Sequence, residues 1–201
     1  MDIKLQSLSP PVNMLDGYLS QQETTLTLHC HDSSFKKATA VDAERNPVFR
    51  VEGTTWGTSW SWRRKVLDAT NNRHLFDFRH ESLDFKNRWV VEDTTGRKLC
   101  SLVHKNQLTI NHSAIDVTVR TAAGEDILVL MRPHDGAALM TTISVDGTII
   151  ATIRKAIDNT KTFRGDQDNS VWELRVATAT DMTMIVALAL CRAEMGHVWK
   201  Q

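Results

Sequence analysis

The segment that most constrains the fold lies near the C-terminus, where apolar residues run unbroken from Met184 to Cys191. Asp181 precedes the run as a candidate N-cap and Gly196 follows it as a candidate stop, so the pattern predicts a helix over 181–195. Because this helix is apolar on every side, it must be buried. About 14 residues are too few for the roughly 20 that a bilayer span requires. We therefore expect the helix to pack inside the protein itself.

The remainder of the chain has the pattern of β-strands joined by tight turns. Short runs rich in β-branched and aromatic residues alternate apolar and polar positions, and turn residues separate them. Asp146-Gly147, between two β-branched runs, is the clearest hairpin signal. A weak repeat starting at Ala40, Val66 and Val91 has an aspartate in its third position that can bond to turn backbone, which indicates successive hairpins. The predicted strands are 25–31, 38–41, 47–51, 64–67, 74–78, 89–92, 98–103, 115–121, 127–132, 140–145, 148–155 and 171–176.

Together these elements predict an all-β fold, a closed antiparallel β-barrel of about twelve strands around the buried hydrophobic C-terminal helix. A closed sheet of that size leaves a lumen that side chains alone fill poorly, and a threaded apolar helix fills it. Closure also removes exposed strand edges. Residues 1–22 include Ser9-Pro10-Pro11 and are predicted to be an irregular N-terminal arm, with residues 23–201 forming one barrel domain.

The charge balance disfavours partners that are recognised through a strong electrostatic field. Lys plus Arg total 24 and Asp plus Glu total 24, so the formal net charge is zero. A neutral chain has no long-range attraction to nucleic acid or to an anionic membrane. We therefore expect no nucleic-acid partner unless basic residues segregate onto one face.

The N-terminal residues and the cysteines indicate a reducing compartment. The first residues lack the apolar run of a secretory signal, so we expect a cytoplasmic protein, with nuclear or peripheral membrane association as alternatives. Cys30, Cys100 and Cys191 are odd in number and widely spaced, which argues against a disulfide framework. They are predicted to be reduced, packed thiols.

Several short motifs accompany this order of a β meander and a terminal buried helix. They are Val41-Asp42, Pro47 to Gly53, Arg64 to Asp68, Trp89 to Val91, Gly147 to Ala151, and Asp181 with Ile185 to Leu188. With these motifs the chain resembles the LURP-one-related family of the tubby C-terminal-like superfamily, from about residue 24 to residue 195. Ala179-Thr180 and Asn71-Asn72 depart from the proline and glycine that the family usually has there, and these departures affect only loop detail.

The resemblance implies a twelve-stranded barrel around the helix, shared with tubby-like domains and phospholipid scramblases. Some tubby relatives bind phosphoinositides and have been linked to membrane-tethered transcriptional regulation. The LURP-one-related group is associated in plants with pathogen defence. The resemblance thus implies a binding module more than a particular reaction, because a shared fold does not carry a site with it.

The candidate binding residues are basic side chains close to aromatic ones. The cations Arg63, Arg64 and Lys65 follow Trp56, Trp60 and Trp62, as they would in a membrane-interface or phosphate-binding patch. The alternative is a buried aromatic strand face followed by a solvated strand end. Further basic pairs would join such a patch only if the fold brings them close: Lys36 with Lys37, and Arg154 with Lys155.

Two segments invite a metal-binding interpretation. Asp166, Asp168 and Ser170 are a weak calcium candidate that looks similar to an aspartate-rich segment of the scramblases. Val171 and Ala177 stand where a calcium loop needs glycine and a bidentate glutamate, so a polar loop is the simpler interpretation.

His29 and His31 share one strand face and would need a third ligand such as His80 or His104 to hold zinc. The simpler interpretation is again that two exposed histidines flank a buried Cys30. We predict no resident metal and no cofactor.

Enzyme signatures are absent from the sequence, which contains no GxSxG, HExxH, phosphate-cradling glycine loop or dinucleotide fingerprint. The leading hypothesis is a non-enzymatic binding or scaffolding module whose ligand is an anionic lipid headgroup, such as a phosphoinositide, or a protein partner. The alternative is a small-ligand enzyme or carrier that uses the barrel mouth, which would need a deep polar pocket. The predicted helix argues against that alternative because it fills the lumen.

Overall fold

The computed structural model describes residues 3–31, 36–53, 63–81, 88–104, 114–135, 139–157 and 170–198. Within them, twelve antiparallel strands form a closed barrel in which each strand pairs with its sequence neighbours and the last pairs with the first. The elements are β1 Thr24–Cys30, β2 Lys37–Val41, β3 Pro47–Gly53, β4 Arg64–Asp68, β5 His74–Glu81, β6 Arg88–Asp93, β7 Lys98–His104, β8 Ile115–Arg120, β9 Asp126–Pro133, β10 Met140–Val145, β11 Thr148–Ile157, β12 Val171–Val176 and α1 Met182–Val198. The predicted fold class is confirmed.

Because consecutive strands run in opposite directions, their connections fall alternately at the two ends of the barrel. The turn end carries short hairpins such as Asp146-Gly147, whose φ angles of 48° and 81° are both positive, as that hairpin type requires. The other end, where β1 finishes and β2 starts, is called the loop end below. The hairpin predicted at Asp146-Gly147 is confirmed.

Aspartates stabilise the turns of the internal repeat, as the sequence indicated. Asp93 accepts hydrogen bonds from the Thr95 hydroxyl (2.6 Å), the Thr95 backbone N–H (2.9 Å) and the Arg97 backbone N–H (3.0 Å). These bonds, led by the one from the Thr95 hydroxyl, lower the pKa of Asp93 to about 2. Asp68 holds the preceding repeat in the same way through Thr70.

Helix α1 runs through the barrel from the turn end towards the loop end. Its residues from Met184 to Leu190 are buried on every side against the inner faces of the strands. The sequence predicted a stop before Gly196, which is wrong, because the helix continues to Val198. A glycine inside a helix costs only about 1 kcal/mol and ends it only when its backbone turns left-handed. In the described part of the chain, no helix combines the length and apolar character needed to cross a membrane.

Residues 3–23, called the strap below, cross the turn end of the barrel. Val12, Met14 and Tyr18 are buried in the same core as the helix. The Tyr18 hydroxyl donates to Asp68 (2.7 Å) and accepts from Arg73 (2.8 Å), which fixes the strap to the β4–β5 turn. The sequence had indicated only an irregular arm here. Its packing makes the strap part of the core.

Each of the cysteines lies in the core without a disulfide bond, as predicted. Cys30, Cys100 and Cys191 are all buried. Burial raises the pKa of the Cys100 thiol, so it stays protonated and acts as a small apolar residue.

Candidate functional site

The predicted basic residues lie in three separate places. Lys36, Lys37, Arg63 and Lys65 are near the loop end of β2, β3 and β4, whereas Arg64 points into the barrel. Arg154 and Lys155 are on β11, and β12, β1, β2 and β3 separate that strand from β4. The neighbouring aromatics Trp56, Trp60 and Trp62 lie outside the described residues.

Arg64 belongs to the interior because it shares the inner face of β4 with Val66. Its side chain is only 1% exposed, and its guanidinium lies over the Trp89 ring at 5.6 Å. Trp89 in turn stacks on Phe78 with ring centroids 4.7 Å apart. A desolvated cation over an aromatic face is a stabilising interaction. A solvated strand end therefore describes Lys65 but not Arg64.

Arg63 is held by carboxylates on the outer face of the barrel. Its guanidinium bonds to Asp77 at 2.6 Å and to Glu92 at 3.2 Å. Glu92 also accepts from Arg79, and this bond is the largest cause of its lowered pKa. Because two partly buried carboxylates already hold the Arg63 guanidinium, Arg63 stabilises the sheet more than it adds positive charge to the surface.

Opposite charges alternate across the outer faces of neighbouring strands at this end. Lys37 lies opposite Glu52 on β3, Glu52 lies opposite Lys65 on β4, and Lys65 lies opposite Asp77 on β5. Cross-strand pairs of opposite charge stabilise a sheet. Asp77 is already bonded to Arg63 and to His74 at 3.0 Å, so positive charge predominates among the described residues around Glu52.

An open groove of about 360 Å³ lies between β2 and β3 at this positive region. We call it the β2–β3 groove, and it is lined by His31, Lys37, Ala38, Thr39, Arg50, Val51, Glu52 and Gly53. Lys65 pairs with Glu52 at its margin. At its end, a Cβ on Gly53 would lie 2.6 Å from the Lys36 Cβ, so glycine is needed for Lys36 to approach. The groove is within the size range of small-ligand sites.

The polar groups of the groove form a connected set. The His31 Nε2 lies 3.1 Å from the Thr39 hydroxyl. Arg50 donates to Glu52 at 2.9 Å and also to the Asn72 side chain. Hydroxyl, imidazole and cationic groups together suit an anion with several acceptor oxygens.

The β11 cations are engaged elsewhere. Arg154 makes a two-bond ion pair with Glu173 at 2.8 and 3.2 Å on the outer face. Lys155 lies on the inner side, with its ammonium 5.5 Å from the Trp172 ring, and Arg192 of α1 lies 5.8 Å from the same ring. These contacts join β11, β12 and the helix. They do not extend the groove.

The metal candidates gain no support. Asp166 and Asp168 lie outside the described residues, whereas Ser170 is buried and its hydroxyl accepts from the Trp172 indole at 3.1 Å. Across the described residues, no three His, Cys, Asp or Glu side chains are grouped as metal ligands. Cys30 is buried between His31, which is exposed, and His29, which is half-buried, whereas the simpler interpretation had both histidines exposed.

The sequence did not identify Thr39, Arg50 and His31 as groove residues. Thr39 lies directly opposite Arg50 in the β2–β3 register, and no single strand shows that pairing. A signal was nevertheless present. Polar residues recur at every second position, as Lys37 and Thr39 on β2 and as Arg50 and Glu52 on β3, which marks two outer faces joined by one hairpin.

The fold places the chain in the class of antiparallel β-barrels that close around a C-terminal helix, here with twelve described strands. The chain belongs to the LURP-one-related family, whose family model matches residues 24–193. The fold is similar to the X-ray structure of a protein from Arabidopsis thaliana, with a TM-score of 0.62 and 13% identity over 92% of this chain and 99% of that chain. No curated protein matches the sequence significantly.

Proposed function

We propose that this LURP-one-related domain is a non-enzymatic binding module that docks on phosphate-bearing anionic lipid headgroups through the β2–β3 groove. One observation carries the proposal. The groove gathers Lys37, His31, Thr39 and Arg50 on one concave surface, with Lys36 and Lys65 beside it. Ammonium and hydroxyl donors make charge-assisted hydrogen bonds to phosphate oxygens. Phosphoinositide binding by some tubby relatives supports the same ligand class.

The magnitude of the expected attraction follows from the three exposed lysines. A basic residue close to an anionic membrane surface contributes about 1 kcal/mol. Lys36, Lys37 and Lys65 together would then strengthen membrane binding on the order of 100-fold. The attraction acts over roughly 8 Å at physiological ionic strength, so zero net charge of the whole chain does not oppose it.

Two other functions compete with this one. An enzyme or carrier that held its ligand in the barrel would have to displace α1, whose central residues are fully buried. A scaffolding role with a protein partner would use an outer face without needing phosphate. Vesicle binding distinguishes the lipid function from the role with a protein partner.

Replacing Lys36, Lys37 and Lys65 together by alanine is expected to weaken binding to phosphatidylinositol bisphosphate vesicles on the order of 100-fold. Co-sedimentation at low and at near-physiological salt measures it. Wild type should bind under both conditions, more weakly at the higher salt. Since all three side chains are exposed, the variant should keep its fold, which circular dichroism checks.

The matched control removes the same charge elsewhere. Lys4, Arg97 and Arg120 are exposed and lie outside the groove. Their combined replacement by alanine should leave vesicle binding within about twofold of wild type, because none of the three lies at the proposed docking site. An equal loss in the control and groove variants would refute a defined site. If wild type fails to bind at either salt, the lipid function is wrong and a protein partner becomes the better account.

A further inference from the structure

Resting on the function proposed above, we infer that the β2–β3 groove selects phosphate monoesters over phosphate diesters, and that its affinity for monoesters increases when His31 gains a proton. The shared chemistry is a terminal phosphate, whether on a lipid headgroup or on a soluble molecule. Nothing about the barrel as a whole requires this preference. It follows from the side chains that line the groove and from how two of them are joined.

Selectivity follows first from where the donors lie. His31 comes directly after β1, Lys37 and Thr39 are on β2, and Arg50 is on β3, so donors reach the groove from three sides. A monoester has three terminal oxygens that can meet donors from three directions. A diester has two, and its second ester chain occupies the remaining side. The groove therefore leaves a donor unused with a diester.

Selectivity follows next from charge. Among the described residues, Lys37, Arg50, Lys36 and Lys65 surround the groove, and Glu52 is the carboxylate that lines it. A phosphate monoester has a charge of about −1.5 to −2 at neutral pH, whereas a diester has one negative charge. The more highly charged ligand compensates this excess of cations better. Charge and hydrogen-bond geometry thus favour the same ligand.

The histidine acts through its contact with Thr39. The His31 Nε2 and the Thr39 hydroxyl are 3.1 Å apart. When Nε2 carries no proton, it accepts the hydroxyl hydrogen and keeps it from the groove. When imidazole is protonated, its N–H donates to the Thr39 oxygen, and the hydroxyl hydrogen is free to bond to a phosphate oxygen. One proton therefore adds both a positive charge and a second donor.

His31 is the histidine among the described residues that line the groove. His29, on the same strand face, has its pKa lowered by burial and then by the charges of His31 and Arg45, which favours its neutral form. A bound anion stabilises an imidazolium beside it.

Binding of wild type and His31→Gln to two kinds of vesicle tests the inference. One kind contains a phosphatidylinositol monophosphate, a monoester, and the other contains phosphatidylserine, a diester, at matched surface charge. Wild type should prefer the monoester vesicles by about tenfold. On them it should bind about tenfold tighter than His31→Gln at pH 6.0 and equally well at pH 8.0, because one pKa unit of coupling equals a tenfold change in affinity.

The comparison with His31→Gln is necessary because the phosphate itself loses charge near pH 6. That loss of charge affects both proteins equally and cancels in their ratio.

Thr39→Val, which removes the hydroxyl and keeps the shape, should reproduce the loss of affinity at pH 6.0. The double variant should bind no worse than either single one. If soluble inositol phosphate displaces the protein from the vesicles, the free phosphate is enough for recognition. If the protein stays bound to the vesicles, recognition requires the membrane-bound headgroup.

Equal binding to monoester and diester vesicles would overturn the selectivity, and a wild-type to His31→Gln ratio that does not change with pH would overturn the histidine mechanism. In both cases loss of binding in the lysine triple variant would still support the groove. Failure of wild type to bind any vesicle would instead refute the proposed function itself. The outcomes of the two proposals are therefore distinguishable.

Discussion

Replacement of Leu188 by aspartate is expected to leave the protein without a cooperative folded state. Leu188 is fully buried at the centre of α1, inside the closed barrel. An ionised carboxylate there would have neither water nor a partner, and such burial is among the most costly substitutions. The penalty is comparable to the whole stability of a typical domain, about 5 to 15 kcal/mol. Circular dichroism with urea titration measures the outcome.

The matched control is Leu128→Asp, the same chemical change on the outer face of β9. Leu128 is 52% exposed, so we expect its replacement to change the free energy of unfolding by no more than about 1 kcal/mol. Ile185→Asp, also on α1, should behave like Leu188→Asp. A Leu188→Asp protein with the urea midpoint of wild type would show that α1 is not the core of the barrel.

Replacement of Asp181 by alanine is expected to destabilise the protein by about 3 to 5 kcal/mol. The fully buried carboxylate joins two parts of the chain. Its Oδ1 accepts from the N–H groups of Thr183 (2.8 Å) and Met184 (3.2 Å), which caps α1, and its Oδ2 accepts from those of Met14 (2.7 Å) and Leu15 (2.8 Å) on the strap. Alanine would leave all these buried donors without their acceptor.

Asp181→Asn separates the two roles. With Oδ1 retained, the amide still caps α1, but its NH₂ group faces the two donor N–H groups of Met14 and Leu15. Hydrogen exchange should accelerate at those two amides much more than at Thr183 and Met184. Asp126→Asn, at an exposed ion pair with Arg120, should cost less than about 1 kcal/mol. Unchanged exchange of the strap amides in Asp181→Asn would contradict its anchoring by Asp181.

The strands and helix could be predicted because their signals are local. Alternation of apolar residues, turn aspartates and the Asp146-Gly147 pair each act within a few positions, and the uniformly apolar run after Asp181 required burial in a closed sheet. The end of the helix was less predictable. Gly196 is a stop signal only if its backbone leaves the helical region, and the last turn of α1 keeps it helical.

The strap and the interior position of Arg64 were harder to predict. The strap is anchored largely through backbone groups, such as the Met182 N–H bonding to the Tyr18 carbonyl at 3.0 Å, and backbone groups leave no mark in the sequence. Arg64 stands two positions before Val66, so strict alternation would put it on the inner face, yet its charge and the two adjacent cations indicated a basic patch or a solvated strand end. A cation at an inward position is unusual, and the Trp89 ring that accommodates it comes from a strand distant in sequence.

The groove depends on register, which the sequence specifies only weakly. Lys37 and Lys65 are both opposite Glu52, although Lys65 is on the far side of β3 from Lys37. The basic pairs visible in the sequence thus predicted only part of the basic site. Lys36, Lys37 and Lys65 meet at one site, whereas Arg154 and Lys155 lie on another flank of the barrel.

Lysine acetylation footprinting in the presence of phosphatidylinositol bisphosphate vesicles tests the groove most directly. Mass spectrometry compares the acetylation of each lysine with and without vesicles, in unmodified wild-type protein. If the groove is the docking site, Lys36, Lys37 and Lys65 are protected severalfold, while Lys4 and Lys98, which do not line it, are acetylated as in free protein. Protection confined to Lys4, Lys98 or Lys155, or no protection of any lysine in bound protein, would contradict the proposed site.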